Sequence, residues 1–486
     1  MAEVETHWDV VVIGAGISGI SAAWHLQTMC PDREFTILEG RANLGGTWDL
    51  FRYPGIRSDS DMHTLGFAFK PWAADKAIAD GPAIMEYLNE AVDEFDIRRR
   101  IQFDHHVHAA SWSSESKQWT LSITAEGVDK TITAGFVLMC TGYYSYKGGY
   151  RPDFPGEDTF TGPILHPQEW PDDLDYVGKR IVVIGSGATA VTLVPAMADS
   201  GAGHVMMLQR SPTWMVAAPA KDPIANVLRK VLPADRAYRL TRAKNVNLTD
   251  KVYKRSRTHP EKVAKALRKR LRKHFTEDQI DEFFTPQYDP WDQRLCLVPD
   301  ADLFNTMKTG KAEIVNGTID SFTESGIQLS SGEHLDADII VTATGLNLVT
   351  IGEMDFDVDG EIVDFSQRWS YKGFSYSDMP NLLSTFGYIN ASWTLRADLV
   401  SAYACRILNH MAESGTTTAT PVLRPSDADM PRRPWVDDFS AGYMARMMPL
   451  LPKQGDREPW INTQDYKADR ELIGEAPVDD GVMNFA

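Results

Sequence analysis

Asp9-Val10-Val11-Val12-Ile13-Gly14-Ala15-Gly16-Ile17-Ser18-Gly19 decides the fold of this chain. A continuous apolar run is what a strand buried on both faces of a parallel sheet requires. The glycines that follow have Gly-x-Gly-x-x-Gly spacing. Gly14 permits a tight bend, Gly16 lets a diphosphate approach the backbone, and Gly19 lets helix and strand pack closely. Ser18 to Met29 reads as a helix and Phe35 to Leu38 as the next strand, closing a βαβ unit at Glu39. A carboxylate there accepts hydrogen bonds from a ribose 2′-hydroxyl and repels a phosphate.

The pattern returns. Arg180 to Ile184 leads into Gly185-Ser186-Gly187-Ala188-Thr189-Ala190, with a helix through Val191–Ala198 and a strand at Val205–Leu208. This unit closes at Arg210, and a guanidinium there welcomes a 2′-phosphate. The first finger, with Gly14, Gly16, Gly19 and Glu39, therefore reads as the site for the ADP part of FAD. The second, with Gly185, Gly187, Ala188, Thr189 and Arg210, reads as a site for NADPH in preference to NADH. In both, the diphosphate would rest on the amides of a helix N-terminus.

Trp119–Ile123 and Phe136–Met139 look like strands, the latter ending at Cys140-Thr141-Gly142. Ala337–Val341 ends in the same way at Ala343-Thr344-Gly345. These two Thr-Gly pairs suggest the points where the chain crosses between two nucleotide domains. The expected fold class is α/β, with two Rossmann-like dinucleotide-binding domains, the second inserted in the first. The FAD domain is expected at 1–145 and 346–486. The NADPH domain is expected at 146–345, with a small helical excursion at about 221–290.

A length of 486 residues is enough for more than one core. The net charge of −18 argues for a soluble acidic protein and against general nucleic-acid binding. Charge is unevenly spread, because Lys221 to Pro290 holds 18 Lys+Arg against 9 Asp+Glu, net +9, leaving −27 elsewhere. That basic face reads as a solvated surface, with a lid that draws in an anionic cofactor as the runner-up. Cys30, Cys140, Cys296 and Cys405 form no close pair, which fits a reducing cytoplasm and neither a disulfide framework nor a zinc site. His105, His106 and His108 lack an acidic or cysteine ligand at useful spacing, so no metal is expected. Asn390-Ala391-Ser392 matches a glycosylation sequon by chance in a cytoplasmic protein. The N-terminus shows no targeting segment, and no apolar run approaches the ~20 residues of a membrane span.

Between the fingers stands Phe160-x-Gly162-x-x-x-His166-x-x-x-Trp170, and after the first comes Gly45-Gly46-Thr47-Trp48-Asp49-Leu50-Phe51-Arg52-Tyr53-Pro54-Gly55-Ile56-Arg57-Ser58-Asp59. Both resemble fingerprints of the class B flavoprotein monooxygenases of Baeyer–Villiger type. Together with Trp291-Asp292-Gln293-Arg294-Leu295-Cys296-Leu297-Val298-Pro299, the resemblance is strongest to their ethionamide monooxygenase branch. It covers nearly the whole chain. It implies that NADPH reduces FAD, that dioxygen adds at flavin C4a, and that the peroxide turns ketones into esters or lactones. In its protonated form that peroxide oxidises sulfides.

By the same resemblance Arg294 is the fixed cation of the reaction and Asp59 its carboxylate partner. Gly46, Thr47 and Trp48 belong to the flavin site. The stretch Trp393-Thr394-Leu395 opens a helix, running to about Met411, whose N-terminus points at the flavin. His166 is implied to be a hinge residue between the domains. Gln293 stands where ketone-oxidising members carry a lysine, which leaves Arg210 with most of the preference for the 2′-phosphate. The alternatives are a flavin monooxygenase restricted to S- or N-oxidation, and a dinucleotide-sensing binding protein without turnover. A disulfide reductase would need a redox dithiol that these cysteines do not supply. The expected partners are dioxygen and a small ketone or sulfide, in a monomer or a homodimer.

Overall fold

Val10, Val11 and Val12 are completely buried at the centre of a nine-stranded sheet, as the unbroken apolar run predicts. The computed structural model describes residues 6–437 and 441–486, so 1–5 and 438–440 of the expected first domain lie outside the described residues. Thr6–Ile13 pairs in parallel with Phe35–Leu38 on one side and with Val128–Met139 on the other. Ile101–Gln102 then follows Phe35–Leu38 at that edge.

The long strand Val128–Met139 plays two parts. Its first half closes an antiparallel meander with Gln118–Ala125 and His105–Ser113. Its second half pairs in parallel with Thr6–Ile13 and with Leu382–Ser384. Leu382–Ser384 comes from far down the chain, so the polypeptide rejoins its first sheet after building a second. Only Phe136–Met139 reads as a strand from sequence, because exposed Asp129 and Lys130 hide the earlier half.

The second sheet has five parallel strands in the order Ala312–Asn316, His204–Gln209, Arg180–Ile184, Ile339–Thr342 and Ile164–Leu165. The helix Ala188–Asp199 covers one face, burying Val191, Val194 and Met197. On the first sheet Ile17–Met29 and Trp393–Ser414 pack against each other. The small side chains of Ala22 and Ala23 let them approach closely.

The excursion is helical as expected, with Pro223–Val231, Ala234–Thr258, Pro260–Leu271 and Glu277–Phe284. Its basic face is not all solvated, however. Arg242 Nη1 donates to the carbonyls of His63, Thr64 and Gly66 at 2.9, 3.2 and 2.8 Å. These are the open carbonyls at the end of the short helix Met62–Leu65, where a cation satisfies both hydrogen bonding and the helix dipole. Tyr238 donates to Phe67 O at 2.9 Å and Asn245 to Asp61 Oδ1 at 2.8 Å. Charge counting cannot tell which cations of a helix turn inward, so this clasp was not legible beforehand.

The chain passes between the sheets twice, and the two passages lie side by side. Ser145 N donates to Asn347 O at 2.9 Å, Val349 N to Tyr143 O at 3.0 Å, and Tyr150 N to Gly345 O at 3.0 Å. His166 pins them. Its Nε2 donates to Gly345 O at 3.0 Å, while Nδ1 accepts from Gln168 N at 3.1 Å. Gln168 Nε2 in turn donates to Ser145 O at 2.7 Å. A Cβ on Gly149 would stand 1.8 Å from the imidazole Cε1, so only glycine fits under the ring. One nitrogen donates and the other accepts, which defines a neutral imidazole.

Two outcomes are expected. Arg242→Met leaves three carbonyls without their cation and lowers the unfolding free energy by about 2 kcal/mol, read from urea denaturation. For His166, burial pushes the pKa below the ordinary histidine value, and the bond to Gly345 only partly offsets this. The unfolded chain then binds the proton more readily, so the contribution of this ring is whole above pH about 6.5 and is lost as pH falls below it. His166→Gln should make the fall of the urea midpoint below pH about 6.5 shallower. His63 and His274, also held low by burial, leave a residual slope.

Candidate functional site

The first finger, through Gly14 and Gly16, and the second, through Ala188 and Thr189, line one cleft of about 550 Å3. Gly14 has φ +101°, and a Cβ there would lie 2.6 Å from Cys140 O. Gly185 repeats the arrangement with φ +129° and a Cβ 2.4 Å from Ala343 O. Each first glycine thus packs on a carbonyl just before a Thr-Gly pair. A Cβ on Gly19 would reach Gly14 O at 1.9 Å, so the third position of the first finger must also be glycine.

The helices that follow, Ile17–Met29 and Ala188–Asp199, start at Gly16 and Gly187 without a side-chain cap. Their first amides are left to an anion. Nothing lies within 4 Å of where a Cβ on Gly187 would be. The helix Trp393–Ser414 is uncapped as well, since Ser392 Oγ bonds Thr64 Oγ1 at 2.6 Å instead of its own amides. Ser58 Oγ, on the cleft wall, is buried without a hydrogen-bond partner among the described residues. Three uncapped helix ends and an orphaned hydroxyl suit an anionic, polar-edged group such as a dinucleotide.

Gly14, Gly16, Glu39, Gly46, Thr47, Trp48, Asp59, Ala188, Thr189 and Arg294 all line this cleft. Glu39 is buried, accepting from Ala15 N at 2.8 Å and from Arg41 N at 3.0 Å. Burial raises its pKa, against the pull of those two amides. Gly45 N donates to Ala15 O at 3.0 Å, laying the Gly45-Gly46 turn against the first finger.

Residues 51–59 form a strap from the first domain to the second. Phe51 and Tyr53 are buried in the core of the second sheet's domain. A Cβ on Gly55 would meet Ala196 Cβ at 2.6 Å and Thr192 O at 2.9 Å. Arg57 pairs with Asp302. The strap ends at Asp59, whose Oδ2 lies 3.4 Å from Arg294 Nη1. Both side chains are about one third exposed, at 38% and 36%. An ion pair in that setting contributes roughly 0–1 kcal/mol, so its value is positional. Burial works against the charge on Arg294, yet the phenols of Tyr443, Tyr143 and Tyr144 and the carboxylate of Asp59 hold its pKa well above the ordinary arginine value.

Tyr143 and Tyr144 share a hydrogen bond of 2.6 Å, and Tyr143 stacks on Trp393 with centroids 4.9 Å apart. Trp393 Nε1 donates to Ser18 Oγ at 2.7 Å, tying the end of Trp393–Ser414 to the first finger's helix. Gly185, Gly187, Arg210, Gln293 and Leu395 are not on the cleft wall. Arg210 is exposed after the second finger's next strand, and no carboxylate pairs with it among the described residues. Leu395 lines a second chamber of about 230 Å3, which shares Ala391 with the main cleft.

Sequence reading did not single out Tyr143 and Tyr144. Their place directly after Thr141-Gly142, at a crossing between domains, was the available signal. Tyr53 and Gly55 stood inside a quoted fingerprint, but nothing in it showed that they pack on the partner domain.

A family model described as flavin-binding monooxygenase-like matches residues 76–351, and one described as an NAD(P)-binding Rossmann-like domain matches residues 12–89. The FAD-containing monooxygenase EthA of Mycolicibacterium smegmatis is 50% identical over 480 residues, 99% of this chain and 97% of that protein. EthA of Mycobacterium tuberculosis is 51% identical over 481 residues, 99% of this chain and 98% of its own. The probable FAD-binding monooxygenase AlmA of Acinetobacter baylyi is 48% identical over 483 residues, covering 99% and 97%. Among solved structures, an oxidized steroid monooxygenase bound to NADP superposes with a TM-score of 0.78 at 23% identity, covering 99% of each chain, a likeness of fold. With its fingers, cleft and sequence in agreement, this chain belongs to the flavin-binding monooxygenase-like family.

Proposed function

We propose that this flavin-dependent monooxygenase is of Baeyer–Villiger type. With FAD at the first finger and NADPH at the second, it uses dioxygen to convert small ketones to esters or lactones and extends to sulfides. The observation that carries the reading is the Asp59–Arg294 pair, set on the wall of a cleft that both fingers share. FAD, reduced at the expense of NADPH, supplies the activated oxygen. The chain's residues do the rest.

Gly14, Gly16, Gly19 and the amides after them would hold the FAD diphosphate and Glu39 the ribose, with Gly46, Thr47 and Trp48 lining the same site. Gly185, Gly187, Ala188 and Thr189 receive the second diphosphate and Arg210 the 2′-phosphate, while Gln293 adds no charge there. Leu395 supports the end of Trp393–Ser414, whose uncapped amides would favour negative charge on a bound group. Arg294 holds positive charge where negative charge develops, the role of a preorganised electrostatic site. A guanidinium stays charged at any working pH, and Asp59 aims it. Tyr143, Tyr144 and Trp393 wall the cleft with aromatic surface that excludes water. On this reading the chain divides into 1–145 with 346–486 around FAD and 146–345 around NADPH. It works in the cytoplasm, where its four buried, free cysteines stay reduced.

Arg294→Ala should retain NADPH-driven flavin reduction and lose ester formation from a simple ketone by about 10²–10³-fold. Ester formed at the original rate would refute the role, and sulfoxide without ester from the unaltered enzyme would confine it to heteroatom oxidation. Arg210→Ala should raise KM for NADPH about tenfold while leaving KM for NADH in place, because only the phosphate contact is lost. Equal changes for both coenzymes would remove Arg210 from that task.

A further inference from the structure

The helix Pro223–Val231 turns an apolar row away from the protein. Ile224, Val227 and Val231, spaced three and four apart, are 55%, 59% and 67% exposed. The opposite side is fixed inward. Ala225 is fully buried, and Arg229 reaches Ala74 O and the Asp75 carboxylate, both at 3.1 Å. The neighbouring helix Ala234–Thr258 adds exposed Leu240 and Leu248. Soluble proteins normally bury an apolar helix face that lies in register like this one. Around it stand the exposed cations Lys230, Arg236, Arg239, Lys251 and Arg255, none of which makes an ion pair among the described residues.

We propose that this excursion docks the enzyme on the surface of an anionic lipid bilayer. An apolar row flanked by basic residues is the composition of a helix that lies in the interface plane. Charge favours the same partner. The segment carries net +9 on a chain otherwise at −27, so an anionic surface attracts this face and repels the remainder. Nucleic acid would use the cations and leave the apolar row in water. No helix among the described residues is long and apolar enough to cross the bilayer, so the contact is peripheral. On its inner side the long helix contributes Val246 and Tyr253 to the smaller chamber, which shares Ala391 with the cleft.

Co-sedimentation of the flavin-loaded enzyme with vesicles tests this. Vesicles of phosphatidylcholine with phosphatidylglycerol should bind it about tenfold more tightly than phosphatidylcholine alone. Ile224→Asp with Val227→Asp should abolish that binding, and Lys251→Glu with Arg255→Glu should reduce it about tenfold. Turnover of a water-soluble ketone should stay the same in all variants, which shows that they fold. Equal sedimentation with both vesicle types overturns the proposal, as does unchanged binding of the Asp variant. So does a dimer in sedimentation velocity that the Asp variant turns into monomer, since the row would then cover a second copy. Retention on duplex DNA with no preference for anionic vesicles would mark a general polyanion surface and equally overturn it.

Discussion

A neutral imidazole between two passages of chain holds this molecule in its working shape. His166 grips Gly345 with one nitrogen and Gln168 with the other, and Gln168 reaches Ser145 on the other passage. Each sheet has its own core, and the imidazole ties together the passages that join them. It also explains Gly149, which must lack a side chain for the ring to lie flat against the backbone. The histidine fingerprint is therefore about geometry between halves rather than proton transfer in the cleft. That geometry brings two uncapped helix ends to one opening.

The ion pair at the cleft depends on the same relation. Asp59 ends a strap that starts at the first finger, and Arg294 belongs to the inserted part of the chain. Neither side chain is deeply buried, so attraction between them cannot fix the distance. The packing behind them does. Phe51 and Tyr53 sit in the second core, and Gly55 lies on the helix Ala188–Asp199 without room for a Cβ. Tyr143 and Tyr144 line the same cleft. Desolvation and partner groups act in opposite senses on Arg294, and its pKa stays above the ordinary arginine value.

Much of this could be read in the chain beforehand. The two fingers follow from local rules, since an apolar strand, a glycine turn and a helix lie within a few tens of residues of one another. The crossings were visible because the Thr-Gly pairs repeat, at Thr141-Gly142 and Thr344-Gly345. Asp59 and Arg294 were legible only through resemblance, because they are 235 positions apart. No spacing rule joins residues across such a gap. The inward turn of Arg242 was hidden for another reason, as helix amphipathicity describes a side by its average and this cation is the exception on it. Leu395 shows the limit of motif reading: its neighbour Trp393 is on the main wall, but Leu395 itself faces the smaller chamber.

The strap has a mechanical meaning. Since residues 51–55 are embedded in the inserted half, Asp59 is anchored to the same body that carries Arg294, and the aim of one on the other is set inside that body rather than across the seam between the sheets.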